Sequence, residues 1–299
     1  MKKFTTTALI LSMVIVNSNT ITANATEYQD ISKSTYEELT GNTNMTLTEK
    51  EFEINTLEGF LVEAKQIVQE KNTGNKFNYI YNYNQPSTNQ DIGDKELNLL
   101  EKTNPEIINQ YNALLAREIS EFSIDYAKVP SGDSEVEYTL PKTGAQITVT
   151  TTSELIKADL SPGVQTAALI NRPFGTYNYT IKHKITAALY PDSICALVTT
   201  YTTKSDGLRL TAASKAGTLG IFPTGIVSSA KITDSRAEKI GYDINAQGDY
   251  TVTIGGYNGI GLVSFDVTIT STVRWDASTS NSLHVTEKYS QIGDLTKKN

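Results

Sequence analysis

Residues 263–275 read Val-Ser-Phe-Asp-Val-Thr-Ile-Thr-Ser-Thr-Val-Arg-Trp. Val263, Phe265, Val267, Ile269, Ser271, Val273 and Trp275 share one parity, while Ser264, Asp266, Thr268, Thr270, Thr272 and Arg274 take the other. A period of two places one set on each face of a pleated strand, so this stretch predicts a half-buried antiparallel strand. The same alternation recurs upstream, where Tyr177, Tyr179, Ile181, His183, Ile185, Ala187 and Leu189 alternate with Asn178, Thr180, Lys182, Lys184 and Thr186. Leu197–Lys204 and Leu208–Ala213, separated by Ser205-Asp206-Gly207, predict a hairpin with a three-residue loop ending in glycine. Tyr250, Val252 and Ile254 alternate with Thr251 and Thr253. Repeated strands joined by Gly, Asp and Asn turns predict an antiparallel all-β sandwich over 131–299.

The residues before Pro130 follow a different period. Thr48 and Glu51 have capping-box spacing, and Leu57, Phe60, Leu61, Ala64, Ile67 and Val68 then recur at three- and four-residue steps, predicting a helix that stops at Asn72-Thr73-Gly74. Asn104 is placed to cap a further helix and Pro105 suits its first position, with Ile107, Ile108, Tyr111, Leu114, Leu115, Ile119 and Phe122 on one stripe. A shorter helical piece is expected at about Lys95–Glu101. The fold class is therefore α+β, with an acidic, mainly helical region over 26–130 followed by the sandwich.

Charge divides along the same line. The 299 residues carry a net charge of −7, and residues 26–130 hold 18 acidic and 9 basic side chains while residues 131–299 hold 15 of each. An acidic balance disfavours nucleic acid as a partner, because phosphate contacts need a basic face. A single cysteine excludes an internal disulfide framework, and two histidines leave little material for acid–base or metal chemistry.

The first 25 residues read as a secretory signal peptide. Lys2 and Lys3 give a positive start, Ala8–Val16 is a short apolar run, and Ala23-Asn24-Ala25 fits the small-x-small cleavage rule. The expected location is therefore extracellular, with no transmembrane segment in the mature chain. Leu140-Pro141-Lys142-Thr143-Gly144 matches the LPxTG string of wall-sorting signals, but alternating residues follow it where an apolar segment and basic end are required. A hairpin turn between Glu135–Leu140 and Ala145–Thr152 is the expected structure.

Several groups are candidates for chemistry. Phe77, Tyr79, Tyr81 and Tyr83 alternate within Asn75–Asn84, so a strand there would put four rings on one face, a platform for sugar rings or a core contact. Asp243, Asn245 and Asp249 stand in a stretch that resembles the opening of a calcium loop, with oxygen ligands at alternate positions and Gly248 sixth. Its twelfth position is Ile254 and lacks the bidentate acid, so the other reading is a tight loop before a strand. Otherwise no cofactor is indicated. His183 lies on an apolar strand face and Cys195 in the apolar run Ile194–Val198, so a buried pair is expected rather than a thiol nucleophile with its base. The glycine-rich 254–261 segment falls between strands and is read as a connection, not a phosphate loop.

Two resemblances add to this reading. Gly248-Asp249-Tyr250-Thr251-Val252 resembles the Gly-x-Tyr-x-Val stretch around the tyrosine corner of Ig-like sandwiches, which implies an Ig-like or related fold. The Ser/Thr face of 263–275 resembles the amphipathic segments of secreted pore-forming toxins of the aerolysin type, which implies segments that rebuild into a membrane barrel. The first expectation is a secreted bacterial protein, not an enzyme, acting as a binding or surface-interaction module toward a cell-wall or glycan surface. A secreted β-pore-forming toxin is the alternative, and a thiol-dependent hydrolase the third reading.

Overall fold

Long strands with strict alternation need two layers, because each apolar face must be buried against another. The computed structural model describes residues 56–74, 94–158, 170–221, 223–255 and 262–294, all within one compact unit spanning Glu51–Asn299. The helices are α1 (Leu57–Gly74), α2 (Asp94–Thr103) and α3 (Pro105–Glu121), followed by a 3-10 turn at Tyr126–Lys128. The strands are β1 (Ser123–Ile124), β2 (Ser134–Thr139), β3 (Gln146–Ala158), β4 (Ile170–Pro173), β5 (Gly175–Thr186) and β6 (Ser193–Lys204). They continue with β7 (Gly207–Ser214), β8 (Thr224–Asp234), β9 (Arg236–Ala237), β10 (Asp243–Ile254), β11 (Val263–Ser278) and β12 (Ser282–Asp294).

Two antiparallel sheets result. Sheet I runs β1-β12-β11-β10-β8 with β4 also paired to β12, and sheet II runs β2-β3-β5-β6-β7-β9. The chain passes between the sheets at corners: Ser235 separates β8 in sheet I from β9 in sheet II, and Phe174 separates β4 from β5. These corners also cover strand edges. The outer edge of β12 meets β4 at residues 282–285, the Gly132 N–H at the Glu287 carbonyl, and β1 at residues 291–292. On the far side Lys215 Nζ donates to the Ser228 carbonyl of β8, 2.7 Å away.

The expected alternation is seen directly. Tyr177, Tyr179, Ile181, His183 and Ile185 of β5 are buried, and β11 extends the quoted stretch to 16 residues. The β6–β7 hairpin is tighter than its sequence suggests. Lys204 pairs with Gly207, so only Ser205 and Asp206 form the loop, and Gly207 enters the ladder at φ 121°. Its freedom from a side chain is needed there, since a Cβ would lie 2.0 Å from the Ala237 carbonyl oxygen.

The helices share the core of the sheets, with Phe60, Ala64, Tyr111, Leu115 and Ile119 buried alongside Ile147, Leu197 and Ile269. Thr56 caps α1, accepting the Gly59 N–H at 3.0 Å. The Thr48–Glu51 box lies outside the described residues. Asn104 takes the N-cap position of α3 ahead of Pro105, but its side chain makes no capping hydrogen bond. The buried Lys71 of α1 donates to the carbonyls of Ala187 and Tyr190, at 2.9 and 2.8 Å, and Tyr111 of α3 accepts the Ala188 N–H. The helices thus close the end of the sandwich at which β5 finishes. Among the described residues no helix is long and apolar enough to cross a membrane.

Tyr250 does not form a tyrosine corner. Its hydroxyl donates to the Ala196 carbonyl in the opposite sheet, 54 residues upstream, whereas a corner tyrosine bonds a few residues upstream of itself.

Candidate functional site

The outer face of sheet I carries a hydrogen-bonded network of polar side chains. Strands β10 and β11 pair over twelve unbroken rungs, from Asp243 with Arg274 to Ile254 with Val263. Parity sends Ile244, Ala246, Tyr250, Val252, Phe265, Val267, Ile269 and Val273 into the core, where all are buried. The opposite parity builds a ladder of side chains bonded across the two strands. Thr272 donates to Asn245 at 2.7 Å, Thr268 to Asp249 at 3.0 Å, Thr251 to Asp266, and the Thr253 and Ser264 hydroxyls are 2.9 Å apart. Lys231 of β8 reaches Asp249 at 3.1 Å, and Gln247 donates to it at 2.6 Å.

Between β8, β10 and β11 this face dips into an open groove of about 460 Å³. Ser229, Lys231, Gln247, Asp249, Thr251, Asp266 and Thr268 contribute polar groups to it, and Val227 an apolar one. Val227 is 77 % exposed, so the groove offers hydroxyl, carboxamide and carboxylate groups beside a bare aliphatic patch. Burial tends to raise the Asp249 carboxyl, but hydrogen bonds from Gln247, Lys231 and Thr268 outweigh it and hold it below the usual carboxylate range.

The residues read as a calcium loop are rungs of this strand. Asp243, Asn245 and Asp249 alternate along β10, and six residues of extended chain set Asp243 about 20 Å from Asp249. Asp243 shifts the other way: burial pushes its carboxyl up, with Arg274 opposing. The three do not converge on a point. Among the described residues no group of three or more His, Cys, Asp or Glu side chains is arranged to hold a metal ion. Phe77, Tyr79, Tyr81 and Tyr83 lie outside the described residues.

His183 and Cys195 are direct cross-strand partners on β5 and β6, both facing the core. Burial pushes the Cys195 thiol up to about 12 and the His183 imidazole down to about 4, the latter only partly opposed by a hydrogen bond to Gln291. His183 Nδ1 meets Gln291 Oε1 of β12, and its Nε2 is buried without a partner. A nucleophilic cysteine needs the reverse: a lowered pKa and access to solvent.

One cluster was not anticipated from the sequence. Glu287 on the inner face of β12 is fully buried and accepts hydrogen bonds from Arg172 Nη2 at 2.8 Å, from Ser153 Oγ at 2.8 Å and from the Tyr201 hydroxyl. Arg172 also lies over the Tyr177 ring, 5.1 Å from its centre, and that ring stacks on Tyr201. Burial raises the Tyr201 hydroxyl far above its ordinary value, reinforced by the Glu287 charge. The carboxylate is surrounded by donors and ties sheet I to sheet II; its parity with Val285 and Tyr289 was the available signal.

Leu140–Gly144 forms the turn between β2 and β3, with Gly144 at φ 70° and its N–H on the Leu140 carbonyl. Leu140 and Thr143 are buried. No family model matches the chain, no curated protein matches its sequence, and no solved structure matches its fold.

Proposed function

We propose that the chain is a secreted, non-catalytic binding module that engages a hydroxyl-rich surface, such as a cell-wall glycan, at the cell envelope or in the extracellular milieu. The observation that supports this most is the outer face of sheet I. Its Ser, Thr, Gln and Asp side chains are held in fixed positions by one another, so little side-chain entropy remains to be lost on binding. The exposed Val227 supplies an aliphatic contact beside them. Sugars present the same combination of hydroxyls and C–H faces. The aromatic residues Phe77, Tyr79, Tyr81 and Tyr83 are a second candidate contact for the same class of partner. Incubating the purified mature protein with cell wall, liposomes and extracellular matrix, then pelleting each, tests the reading. Retention on wall or matrix that weakens when Thr251 and Thr268 become alanine supports it, and a protein left in every supernatant removes it.

A secreted β-pore-forming toxin is the second reading, favoured by the length and two-faced character of the paired strands β10 and β11. Release of an encapsulated dye from liposomes is its direct test.

A further inference from the structure

A strand at the margin of a sheet carries a row of N–H and C=O groups with which a further strand can pair. In sheet I, β8 is such a margin, paired with β10 alone. Val227, Ser229 and Lys231 stand on its exposed outer face, while Ile226, Ser228 and Ala230 face inward and are only half-buried. Ile232 shares that inward parity and is 40 % exposed. The inward residues of the adjacent β10, Ala246, Tyr250 and Val252, are buried. The core is therefore incompletely covered along β8. The Ser228 carbonyl is turned away from β10, since it accepts from Lys215 Nζ at 2.7 Å, and Ile226, Ala230 and Ile232 share its parity. An antiparallel residue turns its N–H and C=O to the same side, so these four residues form the free row. Among the described residues no backbone hydrogen bond meets their N–H groups.

The other margins are covered, short, irregular or repelling. On β12 the edge is occupied by β4, Gly132 and β1. On β7 it is met by β9 at residues 208–209 and by the Ser235 carbonyl at Leu210, which leaves only 211–214. Strand β2 exposes Glu135 and Glu137, which would meet acid with acid in a self-pairing. Past the end of β2, β3 shifts register between Leu155 and Lys157, and its Ser153 N–H is already taken by Asp133.

We propose that β8 is a docking edge for a second copy of this chain, paired antiparallel about a two-fold axis at Ser229. A two-fold axis normal to the sheet sets residues of like parity opposite one another. The Thr224 N–H is already on the Ile221 carbonyl and the register with β10 shifts past Ile232, so the free row runs from Ile226 to Ile232 and Ser229 is its midpoint. In this register Ile226 meets Ile232 of the second copy, and Ser228 meets its Ala230. Each pairing occurs twice, so the aliphatic ends of both inner rows are flanked. On the outer face Val227 lies against the methylene stem of the second copy's Lys231, and the two Ser229 residues face each other. Lys231 is the only charged residue in the row and meets no like charge. The edge thus complements itself, which is why the partner is a second copy. Lys215 guards it, because its amine must leave the Ser228 carbonyl before a strand docks. The grooves of the two copies then lie side by side on one continuous face, although the pairing does not depend on the glycan reading.

Sedimentation of the purified protein over rising concentration tests the edge, and a mass passing from one chain to two is expected. Ser228→Pro removes a free N–H without touching the β10 ladder, since proline is accepted on sheet margins, and should keep the protein single. Lys215→Ala should tighten the dimer several-fold, because neither copy then gives up a hydrogen bond. Oxidation reads the register without proline. Ser229→Cys, made with Cys195→Ala, sets two thiols opposite at a Cα separation of about 4.5 Å, within disulfide reach, and should give a linked dimer. Val227→Cys in the same background lies four residues from its own counterpart, about 14 Å away, and should not link. A single chain at every concentration for both the natural sequence and Lys215→Ala overturns the proposal. So does a dimer that a folded Ser228→Pro leaves intact, or equal linkage at 227 and 229. Failure to bind cell wall would remove the glycan reading and leave these outcomes unchanged.

Discussion

Glu118 on α3 holds Thr143 in the β2–β3 turn twice over, accepting its backbone N–H at 2.8 Å and its hydroxyl at 2.6 Å, and takes the Lys142 N–H at 2.7 Å as well. Thr143 is fully buried, so removing the carboxylate strands its donors away from water. Glu118→Ala is expected to lose about 1–3 kcal/mol in urea denaturation, the range for buried groups left without their partner. Glu118→Gln keeps one acceptor oxygen and should lose less. Wild-type midpoints for both variants would show that the turn stands without the helix.

Stability should fall in mild acid through His183. Burial holds its imidazole at about 4 in the folded chain, against about 6.5 when unfolded, so the unfolded chain takes up the proton first. The contribution is fully present above about pH 6.5 and is lost as pH falls toward 4, a total of roughly 3 kcal/mol. Urea midpoints measured between pH 7 and 4.5 should decline, and the decline should be shallower in His183→Gln. An unchanged slope in the variant would assign the acid sensitivity to other groups.

Cys195 should be silent to thiol reagents in the native protein. It is fully buried and its thiol is pushed up to about 12, so it offers negligible thiolate at neutral pH. Labelling with iodoacetamide is expected only in denaturant, at a rate that follows unfolding. Stoichiometric labelling of the folded protein would restore the thiol-hydrolase reading.

Two strand glycines should respond oppositely to alanine. At Gly248 a Cβ would come within 2.5–2.9 Å of the Tyr250 ring and hydroxyl, which are buried and tethered to Ala196. Gly248→Ala is expected to cost about 1–3 kcal/mol, the usual range for overpacking. At Gly225 nothing lies within 4 Å of the Cβ position, so Gly225→Ala should be neutral or slightly stabilising. Thermal denaturation of both variants, side by side, separates the two effects.

The elements that were legible in the sequence are those in which parity and hydropathy agree. Strands β5 and β11, the stripe of α3 and the β2–β3 turn fall in this class. Strand β12 was obscured because Glu287 and Gln291 occupy buried positions, each satisfied by residues distant in sequence. Strand β8 was obscured because it borders sheet I and exposes Val227, so its alternation is weak. The calcium-like spacing of Asp243, Asn245 and Asp249 has a simple origin. Alternate oxygen ligands in a loop and alternate solvent-facing residues in a strand share a period of two. The cross-strand ladder depends on register, which no single strand reveals: the sequence shows Asp249 and Thr268, and only the pairing of β10 with β11 makes them partners.

The corners and loops that cover the β12 edge of sheet I have a kinetic consequence. A margin that is occupied cannot recruit a neighbouring chain by simple collision, because no unpaired ladder is on offer there. The other margin, β8, pairs only with β10 and is touched by the Lys215 side chain at Ser228. Along β2, the margin of sheet II, the exposed Glu135 and Glu137 would set like charges opposite one another in a self-pairing. Raising the protein concentration alone should therefore leave the β12 and β2 margins unpaired. Any ordered assembly through β12 must begin with a unimolecular event that uncovers it, so the lag time of that route should respond to surface, acidity or temperature more steeply than to the amount of protein present.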